Sequence, residues 1–309
     1  MAASNSGGGR RMKIGLSLSL SEHSLNGQTP TYRDVQAMAQ EAERIGCDSV
    51  WMADHLLSRF PGQDESGQWE VFSFLAALAA NTSRIALGPL VACTSFRNPA
   101  LLAKIADSLD EISQGRFILG LGAGWHEPEY KAFGYPFDHR ASRFEEALQI
   151  IVPLLREGHV DFTGTYYQAE NCVLRPRGPS GGRLPIWIGA RRPRMLDLVA
   201  RYADAHNAVW HVDTATLVAE FDDLHAACAR VGRDPATIEH TAGTIVRLLA
   251  PGEAPRPDDK SIQGTPEEVA AVLRRFAEVG VQHLVVILQP RGVEVIQRFA
   301  RVLALLDAA

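Results

Sequence analysis

Apolar positions along the chain fall into short continuous runs, and most runs are followed by a segment with helical spacing. Runs such as Leu284-Val285-Val286-Ile287 are apolar throughout, which is typical of strands buried on both faces. The runs cover residues 13–20, 48–52, 84–93, 116–121, 185–188, 205–209, 237–249 and 283–288. Alternating β and α units predict an α/β fold with a parallel sheet, and eight of them favour a closed (β/α)8 TIM barrel. Periodicity alone leaves an open doubly wound sheet as the alternative.

Helix start signals support this reading. Thr31 precedes apolar residues at helical spacing, and Thr265-Pro266-Glu267-Glu268 is a capping box with proline in the first turn. The predicted helix over residues 69–81 is apolar nearly all round, more than packing against a barrel requires. It is predicted to form a homodimer interface with the helix after Pro99; burial beneath a neighbouring loop is the alternative.

The pattern predicts one barrel domain over residues 13–309 with no separate second domain. Residues 1–12 are mostly small or polar and are predicted to form a disordered leader. The long interval before the fifth run predicts an insertion at about residues 158–184, with a small hairpin around Asp161–Tyr167. Residues 250–263, rich in proline and charge, are predicted to be a loop.

Composition narrows the class of protein. The chain of 309 residues is 46% hydrophobic with a net charge of −5, which argues against a wholly disordered chain and against a nucleic-acid partner. No apolar run reaches the roughly 20 residues that a membrane span needs. The cysteines are far apart and predict reduced thiols in a cytoplasmic protein, without a disulfide frame or a metal site. They are Cys47, Cys93, Cys172 and Cys228.

Candidate chemistry follows from the polar residues at the ends of the runs, where the active site of such a barrel lies. Asp54 and His55 follow the second run. An imidazole offers a proton near neutral pH, and a carboxylate can orient a bound ring or accept a hydrogen bond. The pair is therefore a catalytic candidate, with a structural strand cap as the alternative.

A glycine-rich segment, Gly120-Leu121-Gly122-Ala123-Gly124, follows the fourth run. Trp125 stands where the last glycine of a dinucleotide fingerprint belongs, so a Rossmann site is rejected. His126-Glu127 is not a metalloprotease helix, because Pro128 is expected to break it and no second histidine follows at the required spacing. The glycines, Gly124 included, are predicted to let the backbone approach a planar ligand or turn tightly.

A second candidate for ligand binding is Gly189-Ala190-Arg191-Arg192, which follows the fifth run and leads into a helix. The N-terminus of a helix and two arginines favour a phosphate, and an ordinary solvated arginine pair is the alternative. His206, Trp210 and His211 flank the sixth run and are weaker candidates.

Taken together, these segments resemble the luciferase-like monooxygenase superfamily, and most closely its branch that uses the deazaflavin coenzyme F420. The resemblance runs from Lys13 to the C-terminus. It is carried by Trp51-Met52-Ala53-Asp54-His55-Leu56, Arg97-Asn98-Pro99-Ala100-Leu101, Leu109-Asp110-Glu111-Ile112, the glycines from Gly120 to Gly124, Arg140 with Glu146, and Pro185 to Gly189.

The resemblance implies a barrel with insertions, often dimeric, and roles for particular residues. A non-prolyl cis peptide is implied at Leu90–Val91, behind the ring of the cofactor. Asp54 would contact the polar edge of that ring, and His55 would be the acid, base or orienting residue. Residues 189–192 would hold the phosphate. Sugar-phosphate dehydrogenases of the branch have a carboxylate where this chain has Trp125, so a flatter, more apolar substrate is expected.

The function implied is an F420-dependent oxidoreductase that transfers a hydride to or from a small organic substrate. One alternative is an FMN-dependent monooxygenase, in which a separate reductase supplies the reduced cofactor. An alternative of another class is a flavin- or deazaflavin-binding protein without catalysis. Trp51 and Trp125 are both expected near the ring of the cofactor.

Overall fold

The computed structural model describes residues 12–250 and 252–308 and contains these secondary-structure elements. The strands are β1 (Lys13–Leu18), β2 (Ser49–Met52), β3 (Leu57–Ser58), β4 (Ser66–Gly67), β5 (Ala86–Pro89), β6 (Ala92–Cys93), β7 (Leu119–Gly122), β8 (His159–Thr163), β9 (Gln168–Val173), β10 (Ile186–Gly189), β11 (Ala205–Ala208), β12 (Glu239–Leu248), β13 (Ile262–Gly264) and β14 (His283–Gln289). The α-helices are α1 (Tyr32–Arg44), α2 (Val71–Asn81), α3 (Pro99–Ser113), α4 (Glu127–Phe133), α5 (Arg140–Glu157), α6 (Pro193–Tyr202), α7 (Ala215–Val231), α8 (Pro266–Glu278) and α9 (Val293–Asp307).

The main sheet closes on itself. Its strand order is β5-β2-β1-β14-β12-β11-β10-β7-β6, all paired in parallel. The strands at the two ends of this order, β5 and β6, are halves of one stretch of chain separated only by Leu90 and Val91. Leu87 also bridges in parallel to Phe117, just before β7. The predicted (β/α)8 barrel is therefore confirmed, and the open sheet is excluded.

Both helix start signals are confirmed. Thr31 caps α1 and Thr265 caps α8, each in a reciprocal capping box with the third helical residue. The predicted start of α2 was two residues early. The carboxylate of Glu70 accepts the backbone N–H groups of Phe72 and Ser73, so Glu70 is the cap and Trp69 lies outside the helix.

The predicted hairpin is confirmed as β8 and β9, which pair antiparallel. Its turn is held to α5 by Glu146, whose carboxylate accepts the N–H groups of Thr165, Tyr166 and Tyr167 at 2.8–3.0 Å. At the end of the predicted loop, β13 forms a short strand that pairs in parallel with β12. The predicted leader lies outside the described residues except for Met12, which is buried.

The outer face of α2 and α3 carries apolar side chains. Leu101 and Ile112 on α3 are exposed, and Phe74 on α2 is half-buried against Tyr32 and Trp69. The homodimer through these helices stays a prediction. Within the described ranges, none of the helices combines the length and apolar composition that a bilayer crossing requires.

The inside of the barrel holds a separate aromatic cluster. Trp51 and Trp187 stack with centroids 4.3 Å apart, and the edge of His283 lies against both rings. Ser49 links them, because its Oγ accepts from Trp51 Nε1 at 2.6 Å and lies 2.7 Å from His283 Nε2. Trp51 is thus fully buried among these side chains and is not a residue of the exposed rim.

We predict that His283 makes the fold sensitive to acid. Burial, with a smaller contribution from Lys13, lowers its pKa to about 3, whereas an unfolded histidine titrates near 6.5. The folded pKa lies below the unfolded one, so stability is complete above pH 6.5 and is lost as pH falls from 6.5 towards 3. By pH 4 this group alone should cost roughly 3 kcal/mol of unfolding free energy.

Urea unfolding at pH 7, 5.5 and 4 checks this prediction. His283→Gln keeps a hydrogen-bonding partner for Ser49. Between pH 7 and pH 4 its unfolding free energy should fall by roughly 3 kcal/mol less than that of the wild type. The exposed His159→Gln should follow the wild type. The same pH dependence in wild type and His283→Gln would show that His283 does not carry the effect.

Candidate active site

The predicted site residues lie at the carboxyl ends of the barrel strands, where catalytic groups of such barrels lie. Asp54 and His55 follow β2, and Trp125 follows β7. The segment 189–192 begins at the last residue of β10, and Trp210 follows β11. The structure therefore places the candidate residues at one end of the barrel.

His55 is paired with a buried carboxylate. Its Nδ1 lies 3.0 Å from Oε1 of Glu129, a residue that is almost completely buried. The other oxygen of Glu129 accepts the backbone N–H of Leu56 at 3.0 Å, which fixes the carboxylate. With Nδ1 donating to Glu129, Nε2 is the nitrogen left to exchange a proton with a ligand. The His55 side chain is a quarter exposed, so it is accessible.

Glu129 was missed in the sequence, for an identifiable reason. Pro128 was expected to break any helix after His126, but the structure begins α4 at Glu127 with Pro128 in its first turn. Proline is tolerated there, because its missing N–H has no partner within the helix at that position. The signal that could have found Glu129 is an acidic first turn directly after a barrel strand.

Asp54 is held by an arginine. Its oxygens accept from Arg97 at 2.7 and 3.0 Å and from the N–H of Cys93 at 2.9 Å. Arg97 also donates to Glu70 and lies over the ring of Phe72. Burial raises the pKa of Asp54, and the guanidinium of Arg97 opposes that rise. The contact of Asp54 with a cofactor ring stays a prediction; in this structure the carboxylate joins β2 to the start of α3.

Between the two halves of the third barrel strand, the structure contains the cis peptide implied at Leu90–Val91. The side chain of Leu90 packs on the aromatic cluster inside the barrel. The side chain of Val91 packs against the glycines of β7. A Cβ atom added to Gly122 would lie 2.6 Å from Cγ2 of Val91. Gly120 and Gly122 therefore leave the space that Val91 fills. A second non-prolyl cis peptide, not predicted, joins Val209 and Trp210.

Gly124 has a turn and packing role in this structure. Its φ is +72°, and a Cβ there would overlap the hydroxyl of Tyr130 and lie 2.6 Å from Sγ of Cys93. Tyr130 donates to the Ala123 carbonyl at 2.9 Å, and its hydroxyl lies 2.9 Å from the Cys93 thiol. Burial raises the pKa of Cys93 to about 12, so the thiol is not an activated nucleophile. Binding of a cofactor by Gly124 stays a prediction.

In the predicted phosphate segment, Arg191 already forms an ion pair and Arg192 is exposed. Arg191 pairs with Glu220, Nε to Oε1 at 2.9 Å, and donates to the carbonyl of Val209. Arg192 is exposed at the N-cap of α6 and makes no ion pair within the described part of the chain. The carbonyl of Ala190 is turned towards His206 Nε2 at 2.7 Å. Of the two arginines, Arg192 is the one available to an anion.

The protein is an α/β barrel with a histidine–carboxylate pair, His55 and Glu129, at the carboxyl ends of its strands. Residues 12–254 match the family described as luciferase-like monooxygenase. The chain belongs to this family, and the prediction that it is an enzyme is confirmed.

Named relatives include enzymes of two kinds. An F420-dependent glucose-6-phosphate dehydrogenase of Amycolatopsis mediterranei is 35% identical over 55% of this chain. The pyrimidine monooxygenase RutA of Stutzerimonas stutzeri is 35% identical over 66% of this chain. The matched regions span 50% of the dehydrogenase and 58% of the monooxygenase.

The fold is shared with a solved F420-dependent secondary alcohol dehydrogenase in complex with an F420-acetone adduct. The TM-score is 0.80, with 20% sequence identity over 96% of this chain and 99% of that one.

Proposed function

We propose that this protein is an F420-dependent oxidoreductase that transfers a hydride between the deazaflavin and a small organic substrate. The observation that carries the proposal is the accessible His55, whose Nδ1 is held by the buried Glu129. The F420-dependent dehydrogenase among the relatives supports the choice of cofactor.

The residues at the catalytic end fit a flat ring with a phosphate on its side chain. Leu90 and Val91 are half-buried at this end of the barrel and offer apolar surface on which a planar group could pack. Arg192 and the N-terminus of α6, which no side chain caps, suit the phosphate. When bound, the deazaflavin supplies the carbon that donates or accepts the hydride.

His55 would complete the reaction by moving a proton. Its Nε2 would donate to, or accept from, the oxygen or carbon of the substrate that changes protonation. Glu129 would keep the ring oriented and stabilise the imidazolium when it forms, as a carboxylate does for a catalytic histidine. Asp54 would support the same loop through its ion pair with Arg97.

The second candidate function is an FMN-dependent monooxygenase supplied by a separate reductase. The similarity to the pyrimidine monooxygenase favours it, because that relative matches as well as the dehydrogenase in identity. The pocket would then have to exclude water from the reacting flavin.

Paired titrations of the apo protein with F420 and with FMN decide between the two cofactors. Trp125 is exposed beside His55, so its fluorescence should be quenched by the bound ring. We expect saturable binding of F420 at least about tenfold tighter than binding of FMN, a difference of about 1.4 kcal/mol. Tighter binding of FMN would favour the monooxygenase, and binding of neither would refute the cofactor assignment.

We also propose a cytoplasmic location. In the described residues the cysteines form no disulfide with one another; they are Cys47, Cys93, Cys172 and Cys228. Chains without disulfides are typical of compartments that keep thiols reduced.

A further inference from the structure

Three aromatic side chains form a surface beside His55, here called the aromatic wall: Phe60, Trp125 and His126. The rings of Phe60 and Trp125 are stacked with centroids 6.1 Å apart, and the centroids of the Phe60 and His126 rings are 4.8 Å apart. The wall reaches His55 directly, because the rings of Trp125 and His55 meet edge to face at 5.5 Å.

The wall leaves apolar surface in solvent. Trp125 is 59% exposed and Phe60 is 38% exposed, although both already pack against other rings. Large apolar side chains that cluster in solvent next to a polar functional group are typical of ligand-binding surfaces. Trp125 and Phe60 therefore have contact area to offer a ligand that approaches His55.

The wall is held in place from behind. His126 is buried, and its Nε2 accepts the backbone N–H of Arg59 at 3.0 Å. Phe60 lies in the loop between β3 and β4, where Arg59 and Glu65 form an ion pair. A rigid aromatic surface loses little conformational entropy when a ligand binds.

The charged groups around the wall are already paired. Arg59 is paired with Glu65, Glu129 with His55, and Lys131 with Glu127 on α4. Arg140 also reaches this region, where it donates to the carbonyl of Gly124 at 2.8 Å and lies over the ring of Phe137. The wall thus offers apolar surface, and the cations beside it already have partners.

We propose that the aromatic wall is the substrate-binding surface and selects a planar, uncharged substrate with a conjugated carbonyl group. Its ring or chain packs on Trp125 and Phe60, and its carbonyl lies on the side of His55. This inference rests on the proposed function for the identity of the reaction, but the binding surface can be tested separately.

Calorimetric titration with benzylideneacetone, a planar conjugated ketone, tests the proposal. The titrations use apo protein and protein saturated with F420, with glucose 6-phosphate as the polar comparison ligand. Benzylideneacetone should bind the wild type at least about tenfold more tightly than glucose 6-phosphate. Trp125→Ala and Phe60→Ala should each raise its Kd by about five- to tenfold, as is usual for an aromatic anchor.

Two further variants serve as controls. Phe133→Ala removes an aromatic side chain of similar exposure, 54%, that makes none of the ring contacts of the wall, and should change the Kd by less than about twofold. Trp125→Phe keeps a ring and should retain most of the affinity. Circular dichroism and Tm confirm that each variant is folded.

The outcomes separate this inference from the proposed function. If F420 binds and supports turnover but Trp125→Ala and Phe60→Ala bind benzylideneacetone like the wild type, the inference is overturned and the proposed function stands. Equal or tighter binding of glucose 6-phosphate also overturns it. If neither F420 nor FMN binds while benzylideneacetone binding still depends on Trp125, the proposed function fails and the aromatic wall remains a binding surface.

Discussion

Replacing His55 with asparagine is expected to lower kcat/KM by about 100- to 10,000-fold, the usual loss when a general acid or base is removed. The amide nitrogen of asparagine can take the position of Nδ1 and donate to Glu129, so the buried carboxylate keeps its partner. The atom lost is Nε2, which we assign to proton transfer. The Kd of the cofactor, measured by fluorescence titration, should stay within about twofold of the wild type, since the residues that we propose to hold the ring and the phosphate, Leu90, Val91 and Arg192, are unchanged.

His55→Ala is the informative comparison for this variant. It removes Nε2 and also leaves Glu129 with the N–H of Leu56 as its remaining partner. Unfolding free energy should then fall by about 1–3 kcal/mol, the cost of an unsatisfied buried group, in addition to the loss of turnover. The matched control is His159→Asn, on the exposed strand β8, which should change neither quantity. Turnover of His55→Asn within threefold of the wild type would rule out the proton-transfer role.

The barrel could be predicted because each strand carries its own signal. Runs such as Leu284 to Ile287 are apolar on both faces, and that pattern is local in sequence. The helix caps at Thr31 and Thr265 are local as well, since a capping box needs only four consecutive residues. Closure of the sheet is a non-local property, which periodicity could not show.

The partners of the site residues could not be predicted, because they come from distant parts of the chain. Glu129 is 74 residues from His55, and Arg97 is 43 residues from Asp54. Arg191 was expected to bind a phosphate, but Glu220 pairs with it from α7. The place of each candidate side chain at the end of a strand could be read from the sequence. Which of these charged side chains already has a partner depends on how helices and strands pack against one another.

Replacing Arg97 with methionine is expected to lower the unfolding free energy by about 3–5 kcal/mol at pH 7, the usual cost of breaking a buried ion pair by removing one partner. Asp54 is buried and would keep only the N–H of Cys93 as a donor. Methionine replaces much of the volume of the arginine stem, so the loss reflects the unpaired carboxylate more than a cavity. Urea unfolding measures it directly.

The dependence of this loss on pH identifies its origin. Burial already raises the pKa of Asp54 in the wild type, and removing Arg97 removes the charge that opposes the rise. A carboxyl whose folded pKa is above its unfolded value costs stability as pH rises. The deficit in unfolding free energy of Arg97→Met should therefore shrink as pH falls from 7 to 4.

Adding Asp54→Asn to Arg97→Met removes the buried charge and should recover part of the loss at pH 7. Arg301→Met, which breaks an exposed pair with Glu267, should lower the unfolding free energy much less than Arg97→Met does, because water screens an exposed pair. If Arg97→Met costs no more than Arg301→Met, or if its deficit does not change with pH, Asp54 does not depend on Arg97 for its place in the site.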